Sequence, residues 1–187
     1  MNIVFLSSNP DKKRQVQSIF EGRGISLSFA DNDEPEIQGK DSRQIAVYAA
    51  KKYAVEHKVI AVREDHSLYL NYFYPFPGPY LAYFDRKMNV DKLLQICENA
   101  TDRTGFFLLE AAVACPDGAV HCYSHKVPIK LATEKSGGEG NFDRILMLEN
   151  EDLTFAEKKK LNIPFSPIWA QNYVNIQNDI LQGKIAK

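Results

Sequence analysis

Residues 61–84, AVREDHSLYLNYFYPFPGPYLAYF, restrict the folds open to this chain more than any other stretch. Residues 59–62 are a short apolar run, the pattern of a buried strand. The run ends on two adjacent acids, Glu64 and Asp65, and alternation resumes at Leu68 and Leu70. An aromatic, proline-rich turn follows, closing on Phe76-Pro77-Gly78-Pro79-Tyr80 ahead of an amphipathic helix. Acids at the end of a buried strand are costly unless paired, hydrogen-bonded or bound to metal. The plain alternative is that they mark where the strand reaches water, and composition alone favours it.

The opening of the chain repeats the strand-then-polar-turn pattern. Residues 2–6 (NIVFL) are continuously apolar and predict a second buried strand. It breaks at Ser7-Ser8-Asn9-Pro10, after which Val16, Ile19 and Phe20 fall on one helical face and Gly22 and Gly24 end the helix. Pro10 suits the first turn, with Ser8 or Asn9 as the cap. A helix start of this kind presents free N–H groups and a positive dipole end, which suits phosphate, and Lys12 would add a charge. An ordinary capped helix gives the same pattern.

Ile25, Leu27 and Phe29 alternate as a half-buried strand, followed by an acidic loop, Asp31-Asn32-Asp33-Glu34-Pro35-Glu36. Ile45, Tyr48, Ala49, Lys52 and Tyr53 make a helical stripe behind the cap candidates Asp41 and Ser42. Two short helices are predicted over residues 81–88 and 90–97. Strands over 106–114 and 119–127 flank the turn Cys115-Pro116-Asp117-Gly118, a strong hairpin signal. On such a strand His121 and His125 share a face that Cys122 does not, and no C-x-x-C spacing occurs, which argues against zinc. Thr154 to Glu157 is a capping-box pattern. Tyr173, Ile176, Ile180 and Leu181 form the stripe of a C-terminal helix ending near Gly183.

The 187 residues suffice for one domain spanning the chain, with room for two lobes. A net charge of −1 argues against a broad nucleic-acid or membrane surface, and no apolar run is long enough to span a bilayer. Three cysteines form no disulfide framework and imply a reducing, cytoplasmic setting.

Taken together, the motifs resemble those of the inosine triphosphate pyrophosphatase family, enzymes that hydrolyse non-canonical purine nucleoside triphosphates. Ser7, Asn9 and Lys12 match its opening Ser/Thr-x-Asn-x-x-Lys, Pro35-Glu36-Ile37-Gln38-Gly39 its Pro-Glu-x-Gln-Gly, and Glu64-Asp65 with Pro77-Gly78-Pro79-Tyr80 its acidic pair and turn. The resemblance implies an α/β fold: a long, twisted mixed sheet, flanking helices in two lobes and an active cleft between them. It implies that Ser7, Asn9 and Lys12 hold the triphosphate, together with a lysine on the second helix, where Lys51 and Lys52 compete and Lys52 fits better. Glu36 and Glu64, with Asp65 beside them, would hold Mg²⁺, and Asp65 would orient or deprotonate the attacking water. Phe142 and Asp143 match an aromatic and an acid of a substrate-binding loop, while Gly140, Asn141 and Arg144 depart from it. A homodimer is implied too, with the aromatic turn 72–76 as local support.

The chain departs from that family at His66, at Tyr74-Pro75 and at Ser166-Pro167-Ile168, where the family carries Ser-His-Arg. Those departures leave open a descendant that binds nucleotide or a protein partner without turnover, and a phosphohydrolase that cuts elsewhere on the phosphate chain. Pro167 and Ile168 offer no side-chain hydrogen bond to a base, so altered base selection is expected.

Overall fold

A computed structural model of the chain describes residues 1–31, 39–164 and 166–185. The opening run forms strand β1 (Asn2–Leu6), which passes through a polar turn into helix α1 (Pro10–Phe20). Asn9 is the cap: its side-chain oxygen accepts the N–H of Asp11 at 2.8 Å and of Lys12 at 3.4 Å. Then follow β2 (Ser26–Ala30), α2 (Ser42–His57), β3 (Ile60–Leu70), β4 (Pro77–Gly78), α3 (Leu81–Lys87), α4 (Val90–Ile96), β5 (Thr104–Ala114), β6 (Val120–Leu131), β7 (Leu146–Leu148), α5 (Phe155–Lys160) and α6 (Gln171–Leu181).

Among the described residues the strands form a sheet in the order β2-β1-β3-β5-β6-β7, with the short β4 on β3. β1 runs parallel to β2 and β3, whereas β3–β4 and β6–β7 are antiparallel. The class is therefore α/β with a mixed sheet, as the alternation of apolar runs and helical stripes predicts.

The chain divides into two compact units. The first comprises Met1–Asp65, Leu109–His125 and the segment from Ala170 onward; the second comprises His66–Leu108 and Lys126–Trp169. In the first, strand alternation sorts the core into two layers. Ile3, Phe5, Ile60, Val62, Ala111 and Val113 pack with α1 (Val16, Phe20) and α6 (Tyr173, Ile176, Ile180). Val4, Leu6, Ala61, Ala112 and Ala114 pack with Ala46, Ala50 and Ala54 of α2. In the second unit Phe84 meets both Phe76 and Phe142 edge-on, at 4.7 and 5.1 Å between centroids. Arg103 donates to the carbonyls of Cys97, Leu131 and Ala132.

Three details differ from the sequence expectation. The strand does not end at the acids: β3 continues through Glu64 and Asp65 to Leu70, because the buried acid finds partners inside the fold. The buried face of α2 is Ile45, Ala46, Ala50 and Ala54, while Tyr48 is 49% exposed. Small side chains at four-residue spacing let the helix sit close to the sheet, a preference that a search for large apolar residues overlooks. On α6, Leu181 is exposed and Gln177 takes a buried position instead, donating its amide to the carbonyl of Ile19.

Candidate active site

The first unit gathers its polar groups where β1 ends. Ser7 continues β1 through its N–H, which donates to the Ala30 carbonyl at 3.0 Å, and its Oγ accepts the N–H of Asn9 at 3.2 Å. This small hydrogen-bonded turn sets the start of α1, with its N-terminal N–H groups and Lys12 one turn in. Lys12 Nζ donates to the main-chain carbonyl of Glu64 at 3.2 Å and lies 3.8 Å from Glu64 Oε2. β1 and β3 pair with Phe5 opposite Val62, so the same register carried forward brings Ser7 level with Glu64. Arg63 ties the two strand ends together by donating to the Leu6 carbonyl at 3.2 Å.

Glu64 is the central group. Its side chain is only 2% exposed. Oε1 accepts from Asn172 Nδ2 at 3.1 Å and Oε2 from the Tyr173 hydroxyl at 2.6 Å. Asn172 Nδ2 also donates to the Leu109 carbonyl at 3.0 Å, which fixes its orientation. Burial, followed by the negative charge of Glu64 and the hydrogen bond to it, holds the Tyr173 phenol well above its ordinary value, so it serves as a donor. Two donors and a nearby ammonium thus provide partners for this buried carboxyl group.

Asp65 follows on β3, so the pleat turns its side chain to the other face, the one α2 covers. That face carries a second buried carboxylate, Glu110 of β5. Arg43 Nε donates to Glu110 Oε2 at 3.0 Å and Ser124 Oγ donates to Oε1 at 2.9 Å. The hydrogen bond and the charge of Glu110 raise the Arg43 guanidinium further above its already high value.

The remaining predicted residues are placed as follows. Glu36 lies outside the described residues. Lys51 and Lys52 are both exposed on α2. The Lys51 stem lies beside Gly118 in the β5–β6 turn. Lys52 stands nine residues beyond Arg43, about 13 Å along the helix at 1.5 Å per residue. Phe142 and Asp143 belong to the second unit. Phe142 is buried against Phe84, its N–H donating to Asp85 at 3.0 Å, and Asp143 pairs with Lys159. Also there, His66 stacks on Trp169 at 6.3 Å, and Trp169 packs edge-on against Phe107 and Phe155. Among the described residues no three His, Cys, Asp or Glu groups cluster for a metal.

The sequence reading did not find Asn172, Arg43 or Glu110, and it counted Tyr173 only as part of an apolar stripe. A polar residue next to that stripe was the one available signal for Asn172. Neither its partner nor the bond made by Tyr173 can be read from residues more than a hundred positions away.

The sequence matches the Ham1 family over residues 3–162. Over 158 residues it is 31% identical to a dITP/XTP pyrophosphatase of Thermococcus kodakarensis, covering 84% of this chain and 85% of the relative. It is 30% identical to the dITP/XTP pyrophosphatase of Methanopyrus kandleri, covering 84% of each. The fold resembles the Ham1 protein of Staphylococcus aureus, with a TM-score of 0.75 at 22% identity over 99% of this chain and 100% of that one. Matched over most of its length and at the level of the fold, the chain belongs to the Ham1 family.

Proposed function

We propose that this chain is a metal-dependent nucleoside triphosphate pyrophosphohydrolase, cutting between the α- and β-phosphates to give a monophosphate and pyrophosphate. The observation that carries this reading is the buried Glu64 carboxylate, held beside the capped β1–α1 turn with Lys12 between them. The names of the curated relatives, dITP/XTP pyrophosphatases, favour non-canonical purine triphosphates as substrates.

In this reading Ser7, Asn9 and the N-terminal N–H groups of α1 receive the phosphate chain, and Lys12 neutralises its charge. Lys52 is the further lysine proposed for phosphate. The donors proposed for the cation are the carboxylate oxygens of Glu36 and Glu64, with Asp65 following Glu64 in the chain. Oxygen donors suit a hard ion such as Mg²⁺, which keeps waters and takes phosphate oxygens rather than a full protein cage. Bound there, it would supply electrostatic stabilisation of the charge developing on phosphate. Glu64 and Asp65 point to opposite faces of β3, which divides the work: Glu64 is the buried, fixed anion, and Asp65 orients and deprotonates the attacking water. Phe142 and Asp143 are proposed on the substrate-binding loop, where their contacts hold the loop in shape.

The whole chain is proposed to act as one catalytic domain, as a homodimer, in the cytoplasm. Exposed Tyr72, Tyr74, Phe76, Tyr80 and Tyr83 support a self-associating surface. All three cysteines are thiols, which suits a reducing compartment. Light scattering at micromolar concentration tests the dimer, and a monomer there refutes it. The reaction is tested by incubating the protein with Mg²⁺ and a panel of nucleoside triphosphates, followed by product analysis. Pyrophosphate is expected; orthophosphate alone, or no turnover on any base, overturns the proposal.

A further inference from the structure

Helix α6 lies beyond residue 162, where the family match ends, yet it supplies two of the groups that touch the Glu64 side chain. We propose that Asn172 and Tyr173 are positioning residues: they clamp the Glu64 carboxylate, one donor on each oxygen, and so present it as a fixed anionic donor to the divalent cation. The inference rests on the proposed pyrophosphohydrolase reaction and adds two residues to it.

Several features of the clamp point this way. Both residues are sequestered, Asn172 at 0% and Tyr173 at 1% exposure, so neither bond competes with water. The 2.6 Å Tyr173 contact is in the range of a hydroxyl bonded to an ionised carboxylate. Asn172 is held for its donors. Its Nδ2 serves both Glu64 and the Leu109 carbonyl, while its Oδ1 is buried with no hydrogen-bond partner among the described residues. An orphaned buried acceptor costs about 1–3 kcal/mol. Leucine would fill the same volume without that penalty, so the amide is explained by what it donates. Each Glu64 oxygen accepts one of these two bonds, which holds the carboxylate against rotation. Partners of this kind around a metal-binding carboxylate change cation affinity or activity by about 10–100-fold when removed.

The test uses Mn²⁺ as a spectroscopic probe on the full chain. Its affinity is measured by electron paramagnetic resonance for wild type, Tyr173→Phe, Asn172→Leu, Glu64→Gln and Tyr173→Phe combined with Glu64→Gln. In parallel, the Mg²⁺ concentration giving half-maximal pyrophosphate release is measured, with the nucleotide KM at saturating Mg²⁺. Each single α6 variant is expected to weaken Mn²⁺ binding about 10-fold or more and to raise the Mg²⁺ midpoint alike, leaving that KM unchanged. The double variant is expected to bind no more weakly than Glu64→Gln alone. Unchanged Mn²⁺ affinity in both α6 variants, an additive loss in the double variant, or no Mn²⁺ binding by wild type would overturn the inference. Should one variant fail to fold, the other decides alone. If wild type releases no pyrophosphate while the α6 variants lose Mn²⁺ affinity, the reaction is wrong and the clamp stands. If pyrophosphate is released and Mn²⁺ affinity does not change, the reaction stands and the clamp does not.

Discussion

Lys12 and Glu64 meet twice: Nζ donates to the Glu64 main-chain carbonyl at 3.2 Å and lies 3.8 Å from its carboxylate. The ammonium is thus tethered to the backbone of the strand that carries the acid, so its charge is fixed without neutralising the carboxylate in a tight pair. In the proposed reaction, a cation held this way is in place for phosphate before substrate arrives.

Replacing Lys12 with Met keeps the aliphatic stem and removes the charge. We expect kcat/KM for the preferred triphosphate to fall roughly 10²–10³-fold, the effect of losing one preorganised electrostatic contact. The melting temperature should fall modestly, because the mostly buried lysine also donates to the Glu64 carbonyl and lies beside its carboxylate. Steady-state kinetics alongside calorimetry will separate the two; a loss of activity that merely tracks a loss of fold would count against the assignment.

Asp65→Asn should abolish nearly all turnover while leaving nucleotide binding measurable, since it removes a base and keeps the shape. The decisive comparison is single-turnover rate against nucleotide affinity by calorimetric titration. If Asp65→Asn retains a tenth or more of the wild-type rate, less than about 1.4 kcal/mol in the barrier, Asp65 has no part in the chemistry.

Selection of the base should depart from a strict preference for inosine. Pro167 and Ile168 have no side-chain donors, and the Ser166 hydroxyl accepts the Ile168 N–H at 3.4 Å, a local capping contact. The polar reading of a purine oxygen is therefore missing from this segment. Comparing kcat/KM for ITP, XTP and the common nucleotides in both sugar forms tests it. A hundredfold preference for ITP over ATP, roughly 2.7 kcal/mol, would show that other residues do the reading.

Stability should fall at both ends of the pH scale. Hydrogen bonds from Lys184 and Tyr123 hold the Asp179 carboxyl below its ordinary value, and Thr104 does the same for Asp102. A depressed carboxyl stabilises the fold fully above its unfolded value of about 3.9 and loses that contribution as pH falls further. Burial and Asp179 push the Tyr123 phenol up, so its contribution is complete below about 10 and declines as pH rises beyond it. Urea midpoints from pH 2.5 to 11 should trace a plateau between these edges, and Asp179→Asn should lessen both, leaving the Asp102 and burial contributions. A midpoint that climbs below pH 4 would contradict the sign.

Most of the fold was legible because its signals are local. The Asn9 cap, the Thr154–Glu157 capping box and the turn at Gly118 each depend on residues a few positions apart, and all three form as the sequence predicts. The strand over residues 2–6 was legible from its continuous apolar run. What escaped was contact chemistry at long range. The apolar run 59–62 reads as ending where the acids begin, since nothing nearby can partner Glu64; its partners lie on α6. Tyr173 has an apolar ring and a polar tip, so its place in a hydrophobic stripe was visible and its hydrogen bond was not. The Arg43–Glu110 pair was hidden for the same reason, with 67 positions between its members.

The Glu64 contacts span 108 and 109 positions of chain, and this has a bearing on biosynthesis. Translation proceeds from the N-terminus, so Ser7, Lys12 and Glu64 leave the ribosome long before Asn172 and Tyr173. Until then the acid has no clamp, and a nascent chain, or one clipped by a protease ahead of α6, carries the β1–α1 turn and Glu64 without the groups that bury the acid. The same late docking of Ile176 and Ile180 closes the apolar layer beneath. Completion of this core layer and burial of the Glu64 carboxylate are thereby one event, and both await the synthesis of α6.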